Sequence, residues 1–154
     1  DQPKPLRELV SLLVRIAAKG GNLLLGVGPR GDGTIEPAVL VRLEQLGAWM
    51  RVNRQAIVGS KPTAPFEDAH AAYLRGADGA TYAFHLPAPG ASGFPETLEL
   101  SGDFGHAPTV TALGNFDRLD AERTETGLRV RIPRNLRGPM AEALPALRIA
   151  PGGG

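Results

Sequence analysis

The sequence predicts an α+β chain in two parts. Residues 1–60 read as a helix–strand–helix unit, and residues 61–154 as a small antiparallel β-sandwich. Three observations carry this. First, residues 19–37 place a helix end, a short apolar strand, a glycine-rich turn and a new helix start in direct succession, the order in which parallel α/β structure is assembled. Second, beyond about residue 60 the apolar residues alternate with a period of two, as on a half-buried strand. Third, the 20 Gly and 14 Pro among 154 residues supply many turns without reaching the fraction of a disordered chain.

The first helix is expected over residues 5–19. Leu6, Leu9, Val10, Leu13, Ile16 and Ala17 recur at spacings of three and four and so share one face. Arg7, Glu8 and Arg15 lie mostly on the other. Gly20 and Gly21 stop the helix, because glycine accepts the left-handed backbone of a C-terminal cap. Leu23 to Leu25, continued by Val27, form an unbroken apolar run typical of a strand covered on both faces. Gly28 to Gly33 is a turn. The second helix is expected from near Pro37 to near Asn53, with Val39, Leu43, Leu46 and Met50 inward, flanked by Leu40 and Trp49. Arg42, Glu44, Gln45 and Arg51 are expected to face water. This unit has the form of the last repeat of a (β/α)8-like barrel.

Residues 54–68 read as a bridge broken by Pro62 and Pro65. Tyr82, Phe84 and Leu86 then share a face, as do Leu98 and Leu100, Val110 and Ala112, and Leu128, Val130 and Ile132. Asp78-Gly79, Pro87 to Gly93, Ser101 to Gly105, Gly114-Asn115 and Thr126-Gly127 separate these strands, the spacing of an antiparallel sandwich. Leu147 to Ile149 is the expected last strand, and Pro151 to Gly154 a frayed end.

Composition excludes several functions. With 17 basic against 16 acidic residues and no basic stripe, the footprint of a nucleic-acid binder is missing. No apolar run reaches the length of a membrane span. Without Cys there is no disulfide and no thiolate chemistry. The first residue, Asp1 rather than Met, reads as a processed or truncated start.

Motif by motif, the chemistry is sparse. Gly26-Val27-Gly28-Pro29-Arg30-Gly31 spells a dinucleotide fingerprint. The fingerprint requires the turn to open directly into a helix, and here the helix starts later; Pro29 also removes an amide. Arg30-Gly31-Asp32 is read as three turn residues rather than an adhesion signal. His70, His85 and His106 lack metal-ligand spacing, and His85 is expected at the surface. Ser11, Ser60, Ser92 and Ser101 lack a nucleophile-elbow setting. Asp32 and Glu36 read as turn and helix-start carboxylates. Asn22 is expected to hydrogen-bond backbone, and Trp49 to anchor the two parts. No catalytic residue, metal ligand or cofactor site emerges.

Taken together, Lys19-Gly-Gly-Asn-Leu-Leu-Leu-x-Val27-Gly28-Pro29, Asp32-Gly-Thr-Ile35 and Pro37 resemble the end of the catalytic barrel of family 29 glycoside hydrolases, the α-L-fucosidases. Leu43-x-x-x-Gly47-x-Trp49-x-x-x-Asn53 and Ala56-Ile57-x-Gly59-Ser60-Lys61-Pro62 continue the likeness. Ala80 to Leu86, Val110 to Gly114 and Thr126 to Pro133 resemble that family's C-terminal β-sandwich. The resemblance implies retaining hydrolysis of terminal α-L-fucose from glycans by an Asp nucleophile and a second carboxylate. In the family both lie upstream of the matched segment, so the chain alone is expected to be inactive. Gly26, Val27, Gly28 and Pro29 are implied to line the substrate pocket. The family usually has Asn at the position of Gly26 and an aromatic at that of Thr63. The resemblance implies no cofactor, a fucosylated glycan as partner, neither nucleic acid nor membrane, and a secreted or periplasmic setting; it leaves a homo-oligomer open. The rival expectation is a sandwich that binds carbohydrate or a partner without catalysis. For that role its aromatics are Phe66, Tyr73, Tyr82, Phe84, Phe94, Phe104 and Phe116, with Tyr82 and Phe84 expected in the core.

Overall fold

The computed structural model describes residues 2–91, 93–115, 117–137 and 142–152. Ser92 and Phe116 lie outside the described residues, as does the end of the expected frayed tail. Among the described residues two helices and nine strands succeed one another: α1 (Leu6–Ala18), α2 (Pro37–Ile57), β1 (Lys61–Glu67), β2 (Ala71–Arg75), β3 (Thr81–His85), β4 (Thr97–Ser101), β5 (Thr109–Ala112), β6 (Arg118–Leu119), β7 (Ala121–Arg123), β8 (Gly127–Arg131) and β9 (Leu147–Ala150). They stack in three layers, helices on a six-stranded sheet on a three-stranded sheet.

The large sheet runs β1-β2-β3-β9-β5-β6 and the small one β4-β8-β7, with antiparallel pairing throughout. The last of these strands, β9, inserts between β3 and β5. Ala72, Leu74, Tyr82 and Phe84 point from the large sheet toward Val10, Val14, Trp49 and Ala56 of the helices. Ala71, Tyr73, Ala83, Val110 and Ile149 point the other way, onto Leu98, Leu100, Leu128 and Val130 of the small sheet. The small sheet is a single-sided layer, and its strands alternate as the period-two reading requires: Leu98 and Leu100 are inward, Thr97 and Glu99 outward.

Helix α1 ends where the glycines predict. Gly20 takes φ 80°, its N–H donates to Ala17 O at 2.9 Å, and Gly21 N–H donates to Ile16 O at 2.9 Å. These paired bonds satisfy carbonyls that a helix end would otherwise leave open. The buried face is Leu6, Leu9, Val10, Val14 and Ala18, with Leu13 and Ala17 packed beside it.

Four expectations are corrected. Residues 23–27 form no strand: they run between the helices with no sheet partner, and Leu24 is 93% exposed. A strand exists only through a hydrogen-bonded neighbour, and every sheet of the described residues is built from residues 61–150. Helix α2 continues to Ile57 rather than stopping near Asn53, and its fully buried positions are Trp49, Asn53 and Ala56; Val39, Leu43, Leu46 and Met50 are only half-buried. Arg42, expected in water, is half-buried and bridges to Glu142 at 3.2 Å. The bridge over 54–68 contains β1, an edge strand, where proline is tolerated because no ladder N–H is required on its open side.

Candidate functional site

The segment between the helices holds the four expected pocket-lining residues. Gly26, Gly28 and Pro29 are exposed and Val27 is half-buried. Beyond the chain neighbours, no atom comes within 4 Å of where a Cβ at Gly26 or Gly28 would sit. The structure thus leaves Gly26, Gly28 and Pro29 on an open surface.

The turn over residues 30–36 is closed by its own hydrogen bonds. Arg30 N–H donates to Thr34 O at 2.7 Å and Gly33 N–H to Arg30 O at 2.9 Å. Asp32 Oδ1 accepts from Thr34 N–H at 2.9 Å and from its hydroxyl at 2.7 Å. Those two bonds hold the Asp32 carboxyl below its usual range. Glu36 receives Arg30 through two guanidinium nitrogens, at 3.0 and 2.8 Å. The two acidic residues of the segment are therefore engaged in the turn and at the helix start, as their spacing suggested. Asn22 is exposed and makes no side-chain hydrogen bond among the described residues, contrary to its expected backbone role.

Trp49 fulfils its anchoring role. Its Nε1 donates to Leu144 O at 3.0 Å, and its ring lies 6.3 Å from that of Phe84. One turn on, Asn53 accepts from Ala146 N–H at 2.7 Å and donates to Trp49 O at 2.8 Å. Arg42 and Gln45 both reach the Glu142 carboxylate. The face of α2 is thus stitched to the segment that leads into β9, which fixes this helix on the sandwich.

His85 differs from its expected surface placement. It is half-buried, with the Phe94 ring edge-on at 6.0 Å. Arg7 of α1 lies 5.9 Å over the same ring and donates to Ala91 O at 2.8 Å. Burial, with positive charge from His70 and Arg7, pushes His85 from 6.5 down to about 4. The folded state thus resists a proton that the unfolded chain accepts near 6.5. The stability this contributes is complete above that value and is lost as pH falls toward 4. Thermal melts of the wild-type chain should therefore decline over this window, and those of His85→Gln should decline less. Equal declines in the two proteins would show that His85 is not the group responsible. His70 and His106 are exposed, and among the described residues no group of three or more His, Asp or Glu could hold a metal.

Of the aromatics weighed for a sugar platform, Tyr73, Tyr82 and Phe84 are core residues, Phe66 is 46% exposed, and Phe94 and Phe104 are half-buried. No helix is long and apolar enough to cross a membrane among the described residues.

With this geometry in place, likeness to known proteins is informative. The α-L-fucosidase family model matches residues 1–55. The α-L-fucosidase of Dictyostelium discoideum is 31% identical over 137 residues, covering 82% of this chain and 28% of that protein. The crystal structure of Thermotoga maritima α-fucosidase superimposes over 96% of this chain and 34% of its own, with a TM-score of 0.73 at 29% identity. The chain belongs to the α-L-fucosidase family. It matches the C-terminal part of these enzymes. α-L-Fucosidase isoenzyme 1 of Paenibacillus thiaminolyticus gives a TM-score of 0.76 at 25% identity, over 97% of this chain and 35% of its own. Human tissue α-L-fucosidase is 46% identical over 55 residues, 36% of this chain and 12% of that protein. The chain thus spans about a third of the solved fucosidases and less of the curated relatives it matches. Family resemblance was legible from residues 19–37. The half-buried histidine and the stitching role of Asn53 were missed, because a polar residue used in tertiary contact carries no local signal.

Proposed function

We propose that residues 1–60 complete the catalytic barrel, and residues 61–154 form the buttressing sandwich, of a retaining glycoside hydrolase that removes terminal α-L-fucose from glycans. The nucleophile and the acid/base then belong to chain upstream of this sequence. Retention needs two carboxyl groups about 5–5.5 Å apart on either side of the sugar, and the acidic groups nearest the expected pocket, Asp32 and Glu36, are already committed to the turn. One observation carries the reading. Leu23 to Pro29 matches the fucosidase motif yet lies apolar and without a sheet partner between two well-anchored helices, with Leu24 at 93% exposure. That is the state of a barrel strand awaiting its neighbours. In the completed barrel, Gly26, Val27, Gly28 and Pro29 face the sugar at the C-terminal end of the strand, where barrel active sites are built.

The test is hydrolysis of an aryl α-L-fucoside. This chain alone is expected to release no phenol. Joined behind the upstream barrel of the Dictyostelium α-L-fucosidase, it is expected to support turnover with retained configuration. Release by the isolated chain would overturn the assignment of the chemistry to upstream residues.

A further inference from the structure

At one end of the sandwich, far along the chain from residues 26–29, two loops enclose a cleft of about 340 Å³. One loop, residues 102–105, leaves β4. The other is the turn joining β7 to β8. Register forces them together, because Ser101 pairs with Gly127 at the last rung between β4 and β8. A Cβ on Gly127 would collide with Leu100 O, so the hairpin lies hard against β4 only because that residue is glycine. Arg123 fastens the second side by donating to Gly105 O at 2.8 Å. Asp103 Oδ1 accepts from Gly105 N–H at 2.9 Å and shapes the first loop. A second hollow of about 130 Å³ adjoins the first across Asp103, Phe104 and Gly105, and adds Arg75 and Thr81 from the β2–β3 hairpin.

The charges in this cleft behave unlike those of several other surface acids. Glu8, Glu36, Glu67, Asp78, Glu96, Glu99 and Glu142 sit in ion pairs. The two adjoining hollows bring Asp103 and Glu125 together with Arg123 and with Arg75, which donates to Gly79 O, yet among the described residues none of the four is in an ion pair. Their remaining donors and acceptors point to a ligand that offers both. Across the two adjoining hollows together two carboxylates face two guanidinium groups and formal charge cancels, which disfavours a phosphate or a metal cation. Thr124 and Thr126 add hydroxyls, and Phe104 adds a half-buried aromatic ring. The volume falls at the small end of ligand pockets.

We infer that Asp103, Phe104, Arg123, Thr124, Glu125 and Thr126 form a non-catalytic binding cleft for one neutral saccharide unit. The hydroxyls of a sugar both donate and accept, so one ring satisfies carboxylate and guanidinium at once, and its C–H face packs on Phe104. The inference stands whether or not the chain takes part in hydrolysis, because binding is read on this chain itself.

The experiment is saturation-transfer NMR and calorimetric titration of the full chain with L-fucose, D-galactose and 2′-fucosyllactose. Saturable binding of at least one is expected. Glu125→Ala removes a side chain with no hydrogen bond to the protein among the described residues, so its melting temperature should match the wild type. Its affinity should fall about tenfold, the loss of one charge-assisted hydrogen bond. Arg123→Gln should weaken binding as well, and Glu44→Ala, on the exposed face of α2 in the helix layer, should leave it unchanged. Absence of saturable binding to all three sugars overturns the inference. So does binding that survives Glu125→Ala and Arg123→Gln, or that responds to Glu44→Ala instead.

Discussion

Replacing Trp49 with Ala should destabilise the chain by about 3–5 kcal/mol, the usual cost of truncating a buried Trp. The ring is 7% exposed and fills the space between α2 and the helix-facing side of the large sheet, against Phe84. Truncation leaves a cavity there and strips Leu144 O of its donor, Trp49 Nε1. Domains of this size hold about 5–15 kcal/mol in total, so the loss is a large share of what keeps the fold. Trp49 is the only Trp, so urea unfolding should be followed by circular dichroism rather than fluorescence. The midpoint should drop. Trp49→Phe keeps most of the packing and loses the N–H, and should cost only about 1 kcal/mol. A loss below about 1 kcal/mol for Trp49→Ala would mean that the helices are not held to the sandwich through this residue.

The same anchor shows what a sequence can and cannot reveal. Helix α1 was readable because its inward face is purely apolar and its end carries two glycines with a specific hydrogen-bonding task. Helix α2 was readable in existence but not in extent. Its buried face includes Asn53, and a polar residue looks like a stop until its amide is seen closing bonds to Ala146 and Trp49. Strands β4, β5 and β8 alternate because one side faces the core and the other water, at least in part. Strand β2 was invisible for the opposite reason. Ala71 to Leu74 are buried on both faces, between helices and small sheet, so no alternation exists to be found. Leu23 to Val27 gives the converse error. Its composition is that of a two-sided buried strand, but a strand also needs partners, which composition does not record. Of the candidate site, the glycine-rich turn was legible because Asp32, Gly33 and Thr34 are local to one another. The cleft at the sandwich end joins residues 102–105 to 123–128, and only strand register brings those together.

Asp68→Asn should remove a loss of stability that sets in below about pH 3.9, under the window assigned to His85. Asp68 sits in the connection between β1 and β2. Its Oδ1 accepts from His70 N–H and Ala71 N–H, both at 2.8 Å. Its Oδ2 accepts from the Tyr73 hydroxyl at 2.6 Å and from Ser101 N–H at 3.2 Å. Tyr73 belongs to the large sheet and Ser101 to the small one, and Ser101 N–H also donates to the Tyr73 hydroxyl at 2.8 Å. One carboxylate therefore ties both sheets together. Partial burial pushes its pKa up, but the four donors outweigh burial and hold it below the usual carboxylate value. Burial and the neighbouring carboxylate push Tyr73 the other way, so its hydroxyl stays protonated and remains a donor. Because the folded state favours the ionised form, its stabilising effect is complete above about pH 3.9, the unfolded value, and is lost as pH falls through the lower folded value. Asn keeps the shape but turns an amide N–H₂ toward donors, and should cost about 2 kcal/mol at neutral pH. Melting temperatures of wild type and variant should converge in acid, as the wild-type carboxylate protonates. A gap between the two proteins that stays constant from neutral pH to about pH 2, below the unfolded carboxylate range, would show that the sheets are joined by packing alone. The interior supports that contrast, because Leu98, Leu100, Leu128 and Val130 carry no titrating group.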